Sequence, residues 1–251
     1  MFRWRSPAGD TLDAQLFLPP EGVRPFPLVV VPYGGYANEF PKAGYFLTQG
    51  VQPLVSRGYA VVLPNTRGIA SGAQTDGRYG ATQLEDTHAL LDALAGAGVA
   101  DTSRVAVVGH SHGATMAYYY VSHSRRFRAA VAINGAADWV VQAGLQTMVG
   151  LPGGMGGTPE EVPEAYRAAS PLANARSVVA PVLAVAGRTD TQIPPSNAEA
   201  MTAALQSLGG DATLRVFEDE GHLIERPDNQ RAFWSAVFAF LDRTIGPGDG
   251  R

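Results

Sequence analysis

The chain of 251 residues contains no cysteine. It therefore has no disulfide bond, no thiolate metal site and no cysteine nucleophile. Charged residues make up only 17% of the sequence, the net charge is −4, and the basic residues form no block. We expect no nucleic-acid partner, because proteins bind nucleic acids through clustered basic residues. The length and the 45% hydrophobic content suit one α/β domain with a sizeable core.

Long apolar runs are also missing. No segment of the sequence approaches the roughly 20 apolar residues that a membrane-spanning helix needs. Residues 1–7 lack the apolar centre of a secretory signal peptide. These absences predict a soluble, cytoplasmic protein that does not associate with a membrane.

One short stretch carries the strongest functional signal. Residues 105–108, Val-Ala-Val-Val, predict a buried strand, and residues 114–121 predict a helix. Between them stands Gly-His-Ser-His-Gly, a G-x-S-x-G nucleophile elbow in the strand, turn and helix context that it requires. Because 29 glycines make a chance match possible, the partner residues must support the motif. Ser111 is the predicted nucleophile, at a helix N-terminus whose dipole favours a developing negative charge.

Strands alternate with helices along the rest of the chain. This alternation predicts a single α/β domain over residues 1–251, doubly wound and mostly parallel, with an antiparallel hairpin at its N-terminal edge. The predicted strands are 2–4, 12–18, 28–31, 59–63, 105–108, 129–133, 181–186 and 213–217. The predicted helices are 46–57, 82–95, 114–121, 197–208 and 229–245.

Residues 138–169 interrupt the alternation. They include Leu-Pro-Gly-Gly-Met-Gly-Gly at 151–157, a composition that excludes a long regular element. We expect this insertion to be a small cap or a mobile loop over the site.

A serine nucleophile needs a histidine base and a carboxylate that orients it, in the chain order serine, acid, histidine. His222 follows a late strand and is the predicted base. The other histidines lie inside a helix, beside the serine or near a helix end: His88, His110, His112 and His123. Asp190 follows the strand at 181–186 and is the predicted acid, with Asp138 as the alternative. Residues 218–220, Glu-Asp-Glu, are expected to form a solvated turn, and one of them could tune the imidazole.

The order of these segments resembles the prolyl oligopeptidase family of the α/β-hydrolase superfamily, together with its stand-alone esterase relatives. The resemblance spans roughly residues 28–241. It rests on Pro-Tyr-Gly-Gly-Tyr at 32–36, Pro-Asn-Thr-Arg-Gly at 64–68, Glu-Asp at 85–86, the elbow, Ser-Pro at 170–171, Gly-Arg-Thr-Asp at 187–190 and Glu-Gly-His at 220–222. The sequence departs from the family in lacking its large N-terminal propeller. Since that propeller gates the access of peptides, we expect ester substrates rather than peptides.

These observations predict a serine hydrolase that cleaves carboxylic esters through an acyl-enzyme, without a metal or organic cofactor. Ser111 attacks the carbonyl carbon, His222 transfers the proton, and Asp190 orients the imidazole. The expected substrate is a small ester or a short peptide. Two alternatives stay open: an aminopeptidase or amidase that uses the same triad, and a non-catalytic binding protein on a hydrolase scaffold.

The oxyanion hole of such an enzyme needs two donors. The backbone N–H of His112, the residue after the nucleophile, is the first. The resemblance implies that the Tyr33 hydroxyl is the second, and a backbone N–H of Gly34 or Gly35 is the alternative.

Several other side chains could contact the substrate. We single out the aromatic residues Tyr36 and Trp139 as walls of an acyl or aryl pocket. Arg67 could bind a carboxylate of the substrate. The alternatives are core packing for the aromatic residues and an ordinary surface position for the arginine.

Overall fold

The structure is a computed structural model that describes residues 1–32, 44–67, 78–145 and 151–246. Its strands are β1 (Phe2–Arg5), β2 (Thr11–Phe17), β3 (Phe26–Val30), β4 (Ala60–Pro64), β5 (Ala100–His110), β6 (Ala129–Ile133), β7 (Val182–Gly187) and β8 (Ala212–Phe217). Its helices are α1 (Gly44–Ser56), α2 (Ala81–Gly96), α3 (His112–His123), α4 (Trp139–Gly144), α5 (Leu151–Met155), α6 (Pro163–Ala169), α7 (Ser196–Ser207) and α8 (Pro227–Thr244), with a 3₁₀ helix at Leu172–Ser177.

The strands form one eight-stranded sheet in the order β1-β2-β4-β3-β5-β6-β7-β8. The edge strands β1 and β2 are antiparallel to each other, and β2 is antiparallel to β4. All pairs from β4 to β8 are parallel. This confirms the doubly wound, mostly parallel α/β fold with an antiparallel edge hairpin. The chain reverses its direction across the sheet between β3 and β5, and ligands of such sheets bind where the carboxyl ends of the strands meet this switch point.

The central strands are apolar on both faces because helices cover both sides of the sheet. In β3, Leu28 and Val30 face one core cluster while Val29 faces the other. Helices α2, α3 and α7 pack over the first cluster, and α1 and α8 over the second. The short runs of valine and alanine therefore become strands whose carboxyl ends stay at fixed positions relative to one another.

Two elements differ from the sequence-based expectation. Strand β5 begins at Ala100 rather than at residue 105, because its polar first half pairs with Phe26 and Pro27 at the end of the sheet. The insertion at 138–169 contains three short helices, α4, α5 and α6, in its described part. Its role as a cover over the site remains a prediction.

No helix in the four described ranges is long and apolar enough to cross a membrane.

The turn between β5 and α3 brings two backbone segments into direct contact. A Cβ atom added at Gly109 would lie 2.0 Å from the carbonyl oxygen of Gly113. Real atoms do not approach so closely, so a side chain at Gly109 would push the first turn of α3 away from the strand. The first glycine of the elbow is therefore required by packing.

We expect Gly109→Ala to destabilise the protein by at least roughly 3 kcal/mol, the upper part of the usual cost of overpacking, because backbone must move. Urea unfolding measures the change. The control is Gly96→Ala at the end of α2, where an added Cβ meets nothing within 4 Å. That variant should be as stable as the wild type or slightly more so. Equal stability of both variants would show that the close approach at Gly109 does not exist.

Candidate active site

Ser111 occupies the turn that the elbow motif predicts. Its φ of 57° and ψ of −126° lie outside the regions that ordinary residues favour. The turn is held by two backbone hydrogen bonds: Ser111 N–H donates to the Ile133 carbonyl at 2.9 Å, and Ala114 N–H donates to the Ser111 carbonyl at 2.9 Å. The strained backbone therefore places the Ser111 side chain at the carboxyl end of β5 and the N-terminus of α3.

The structure brings the three predicted triad residues together. His222 Nε2 lies 2.9 Å from Ser111 Oγ, and His222 Nδ1 lies 2.7 Å from Asp190 Oδ2. The Asp190 side chain is fully buried, whereas the His222 side chain is 13% exposed. A carboxylate can only accept hydrogen bonds, so the Nδ1 proton faces Asp190 and Nε2 is free to accept from the serine hydroxyl. This is the arrangement that a serine nucleophile and its base require.

The second oxygen of Asp190 fixes the carboxylate in place. Oδ1 accepts hydrogen bonds from the backbone N–H groups of Gln192 at 2.8 Å and Ile193 at 3.0 Å. The alternative acid, Asp138, instead caps α4, where its Oδ1 accepts from Val140 N–H at 2.8 Å. The geometry therefore favours Asp190 over Asp138.

Residues 218–220 do not form a uniformly solvated turn. Glu218 and Asp219 are exposed, but Glu220 is buried. The Glu220 carboxylate accepts from Arg226 N–H at 2.8 Å and from Asn229 Nδ2 at 2.8 Å. Its carbonyl accepts from the Thr189 hydroxyl at 2.9 Å. Glu220 therefore shapes the loop that carries His222 and joins it to the loop that carries Asp190. Its position in an acidic tripeptide does not indicate this role.

Two residues without a predicted role also lie against the loop of His222. His110 and Asn134 each donate a side-chain hydrogen bond to the main-chain carbonyl of His222. His110 is too close to Ser111 in the sequence to be its base. For Asn134, the sequence indicates only that a strand ends there. Their positions at the carboxyl ends of the neighbouring strands β5 and β6 are the one signal that could have indicated them.

The model of the prolyl oligopeptidase family matches residues 45–248. The chain belongs to the prolyl oligopeptidase family. The curated relatives include dipeptidyl-peptidase 5 of Porphyromonas gingivalis, which is 26% identical over 97% of this chain and 37% of its own length. Acylamino-acid-releasing enzyme 2 of Oryza sativa is 26% identical over 81% of this chain and 28% of its own length.

A solved structure of another protein has the same fold. A puromycin-hydrolyzing peptidase of Mycobacterium tuberculosis superposes with a TM-score of 0.84 and 27% identity, covering 98% of this chain and 39% of that one. The chain thus spans less than two fifths of the length of each of these relatives. The resemblance that the sequence motifs indicate is confirmed.

The side chain of Trp139 lies in the hydrophobic core. Its side chain is 0% exposed. Its ring contacts Tyr79 edge to face, with centroids 5.4 Å apart, and its centroid is 6.3 Å from that of His112. The ring therefore has no open surface in this structure, and its direct contact with a substrate stays a prediction. Trp139 packs beside His112, the residue that follows Ser111.

Arg67, which the sequence suggests for binding a substrate carboxylate, pairs in the structure with a carboxylate of the protein itself. Its Nη2 donates to Asp86 Oδ1 at 2.6 Å, and its backbone N–H donates to Asp86 Oδ2 at 2.9 Å. This hydrogen bonding to Asp86 raises the pKa of Arg67. Since Asp86 is fully buried, the guanidinium is needed as its counter-ion. The arginine thus holds the loop after β4 against α2.

Four predicted residues fall outside the described ranges: Tyr33, Gly34, Gly35 and Tyr36. The expected donor N–H of His112 belongs to the first residue of α3. Within the described ranges, no group of three or more His, Asp or Glu residues could hold a metal ion.

The choice of acid is tested by two matched variants. We expect Asp190→Asn to lower kcat by about 10⁴-fold, because an amide presents the wrong partner to the imidazole. Asp138→Asn should leave kcat unchanged and cost at most about 1 kcal/mol of stability, since asparagine also caps helices well. Steady-state kinetics and thermal unfolding measure both. The reverse order of kcat losses would assign the acid to Asp138.

The role of Arg67 is tested by stability. Arg67→Met should destabilise the protein by roughly 3 kcal/mol, because it leaves Asp86 buried without its partner. The control is Arg78→Met, whose ion pair with Glu85 is exposed on both sides and should contribute at most about 1 kcal/mol. Urea unfolding compares the two. Wild-type stability of Arg67→Met, together with a raised KM, would return Arg67 to the substrate site.

Proposed function

We propose that this protein is a serine hydrolase that cleaves amide bonds of short peptides or aminoacyl compounds through an acyl-enzyme. The observation that carries the proposal is the continuous hydrogen-bonded path from Ser111 Oγ through His222 to Asp190. This arrangement combines the buried carboxylate of Asp190, the oriented imidazole of His222 and the strained turn at Ser111. Such a combination activates a hydroxyl for attack on a carbonyl.

In the first half of the reaction, Ser111 Oγ attacks the carbonyl carbon while its proton passes to His222 Nε2. Asp190, already bonded to Nδ1, stabilises the imidazolium that forms. The tetrahedral intermediate then collapses: the bond to the leaving group breaks, and His222 returns the proton to the departing amine. A water molecule repeats the sequence on the acyl-enzyme and releases the acid.

The negative charge on the former carbonyl oxygen requires donors that already point at it. In this proposal the backbone N–H of His112 supplies one. The second comes from the segment after β3, as the Tyr33 hydroxyl or as an N–H of Gly34 or Gly35.

The relatives support amide rather than ester substrates. They are named as a dipeptidyl-peptidase, an acylamino-acid-releasing enzyme and a puromycin-hydrolyzing peptidase. The expectation of esters depends on chain length, which does not determine the bond that a triad can cleave. Ester hydrolysis remains the second candidate, because the same acyl-enzyme forms more easily from an ester than from an amide.

A substrate panel tests this proposal. Dipeptidyl, aminoacyl and N-acetylaminoacyl p-nitroanilides are compared with p-nitrophenyl esters of acetate, butyrate and octanoate. We expect turnover of at least one anilide class, and a loss of kcat of at least about 10³-fold in Ser111→Ala for that substrate. Circular dichroism and a melting curve confirm that the variant is folded.

Two outcomes would contradict the proposal. Hydrolysis of the esters alone would make the protein an esterase. Turnover by Ser111→Ala at the wild-type rate would remove Ser111 from the mechanism. Labelling of Ser111 by a fluorophosphonate separates both from a non-catalytic binding protein, because only an activated serine reacts with this probe.

A further inference from the structure

The main-chain carbonyl of His222 is held by two side chains. His110 Nε2 donates to this oxygen at 2.6 Å and Asn134 Nδ2 donates to it at 2.9 Å. A carbonyl oxygen has two lone pairs, so these two donors satisfy it fully. His222 lies in an irregular loop between β8 and α8, where no helix or strand hydrogen bond determines its orientation. The position of the imidazole therefore depends on such side-chain contacts.

Asn134 joins the loop of the base to the strand that leads to the acid. Its Oδ1 accepts from Gly187 N–H at 2.8 Å, at the end of β7 and three residues before Asp190. Its backbone N–H donates to the Val185 carbonyl at 2.9 Å. The side chain is buried, and the backbone φ of Asn134 is 52°. One amide group thus links β6, β7 and His222.

His110 holds the same carbonyl from the strand that carries the nucleophile. Its ring lies beside the His222 ring, with centroids 4.7 Å apart and planes inclined by 58°. Burial lowers the pKa of His110 to about 4, although its bond to the His222 carbonyl and the nearby Asp190 charge act in the opposite direction. The His110 ring is therefore neutral at physiological pH. It donates a hydrogen bond without placing a second positive charge beside the imidazolium that forms during catalysis.

We propose that His110 and Asn134 are positioning residues, which fix the His222 carbonyl so that the imidazole Nε2 remains at the Ser111 hydroxyl. This inference rests on the proposed function of Ser111 and His222. Both side chains donate to the main chain of His222 rather than to its imidazole, so they act through the backbone of the base. A displacement of the imidazole by about 1 Å would be enough to slow proton transfer by about 10²-fold.

Three variants distinguish the effect of losing the hydrogen bonds to the His222 carbonyl from the effect of losing side-chain packing. His110→Phe keeps a ring beside His222 but removes the donor. His110→Gln keeps an N–H donor at a similar distance from the backbone. Asn134→Gly removes the amide, and glycine adopts the positive φ of this position without strain. The matched control is His123→Phe, the same exchange at the exposed far end of α3.

The readouts are kcat and KM for the best substrate and the second-order rate of labelling by a fluorophosphonate, measured well below the melting temperature. We expect His110→Phe and Asn134→Gly each to lower kcat and the labelling rate by about 10-fold, with KM within about twofold, and the double variant by about 10². His110→Gln should recover most of the loss. His123→Phe should react like the wild type.

The outcomes that test the positioning role differ from those that test the proposed hydrolase function. Wild-type labelling rates in both His110→Phe and Asn134→Gly would overturn the positioning role, even if their melting temperatures fall, because the effect would then be on stability alone. If Asn134→Gly does not fold, the labelling rates of His110→Phe and His110→Gln are compared, and equal rates at the wild-type level would overturn the positioning role. Labelling of Ser111 without turnover of any anilide would contradict the peptidase proposal and still test the positioning role. A wild-type protein that is not labelled overturns both.

Discussion

The hydrogen bond between His222 Nε2 and Ser111 Oγ joins residues that are 111 positions apart in the sequence. Its length of 2.9 Å is possible only because parallel strands end at the same edge of the sheet. Ser111 follows β5, Asp190 follows β7, and His222 follows β8. Strand β7 is buried along its whole length and β5 is buried over residues 105–109, whereas the edge strand β8 is only partly buried. The buried stretches cannot slide without exposing apolar surface. The hydrophobic core thus determines the position of the polar site.

Close backbone contacts bring the loops together at this edge. At Gly109 the strand touches the first turn of α3, and at Gly187 a Cβ atom would lie 2.0 Å from the Gly221 carbonyl oxygen. The second contact lets the loop of Asp190 lie directly against the loop of His222. The bond of 2.7 Å between Asp190 and His222 follows from this contact of two backbones.

Buried polar groups determine the conformations of the loops in this protein. Asn134, Asp86 and Glu220 are each almost fully buried, and each has hydrogen-bond partners in a loop. Burying such groups without partners would cost several kcal/mol, about 2–7 for a neutral group and more for a charge. Each of them therefore favours the single loop conformation in which its partners are in place. The loops around the site are specified by these groups, whereas the strands are specified by apolar packing.

The sequence by itself determined the alternation of strands and helices, the elbow at Ser111 and the predicted order of nucleophile, acid and base. These features are local: a run of β-branched residues, a Gly-rich turn or an amphipathic period can be read from neighbouring residues. Only the tertiary structure decided that Asp190 rather than Asp138 contacts His222, that Arg67 serves as a counter-ion, and that His110 holds the carbonyl of His222. A polar side chain has the partner that the order of the strands brings beside it. That order is set by long-range packing across the whole sheet, which no local pattern in the sequence contains.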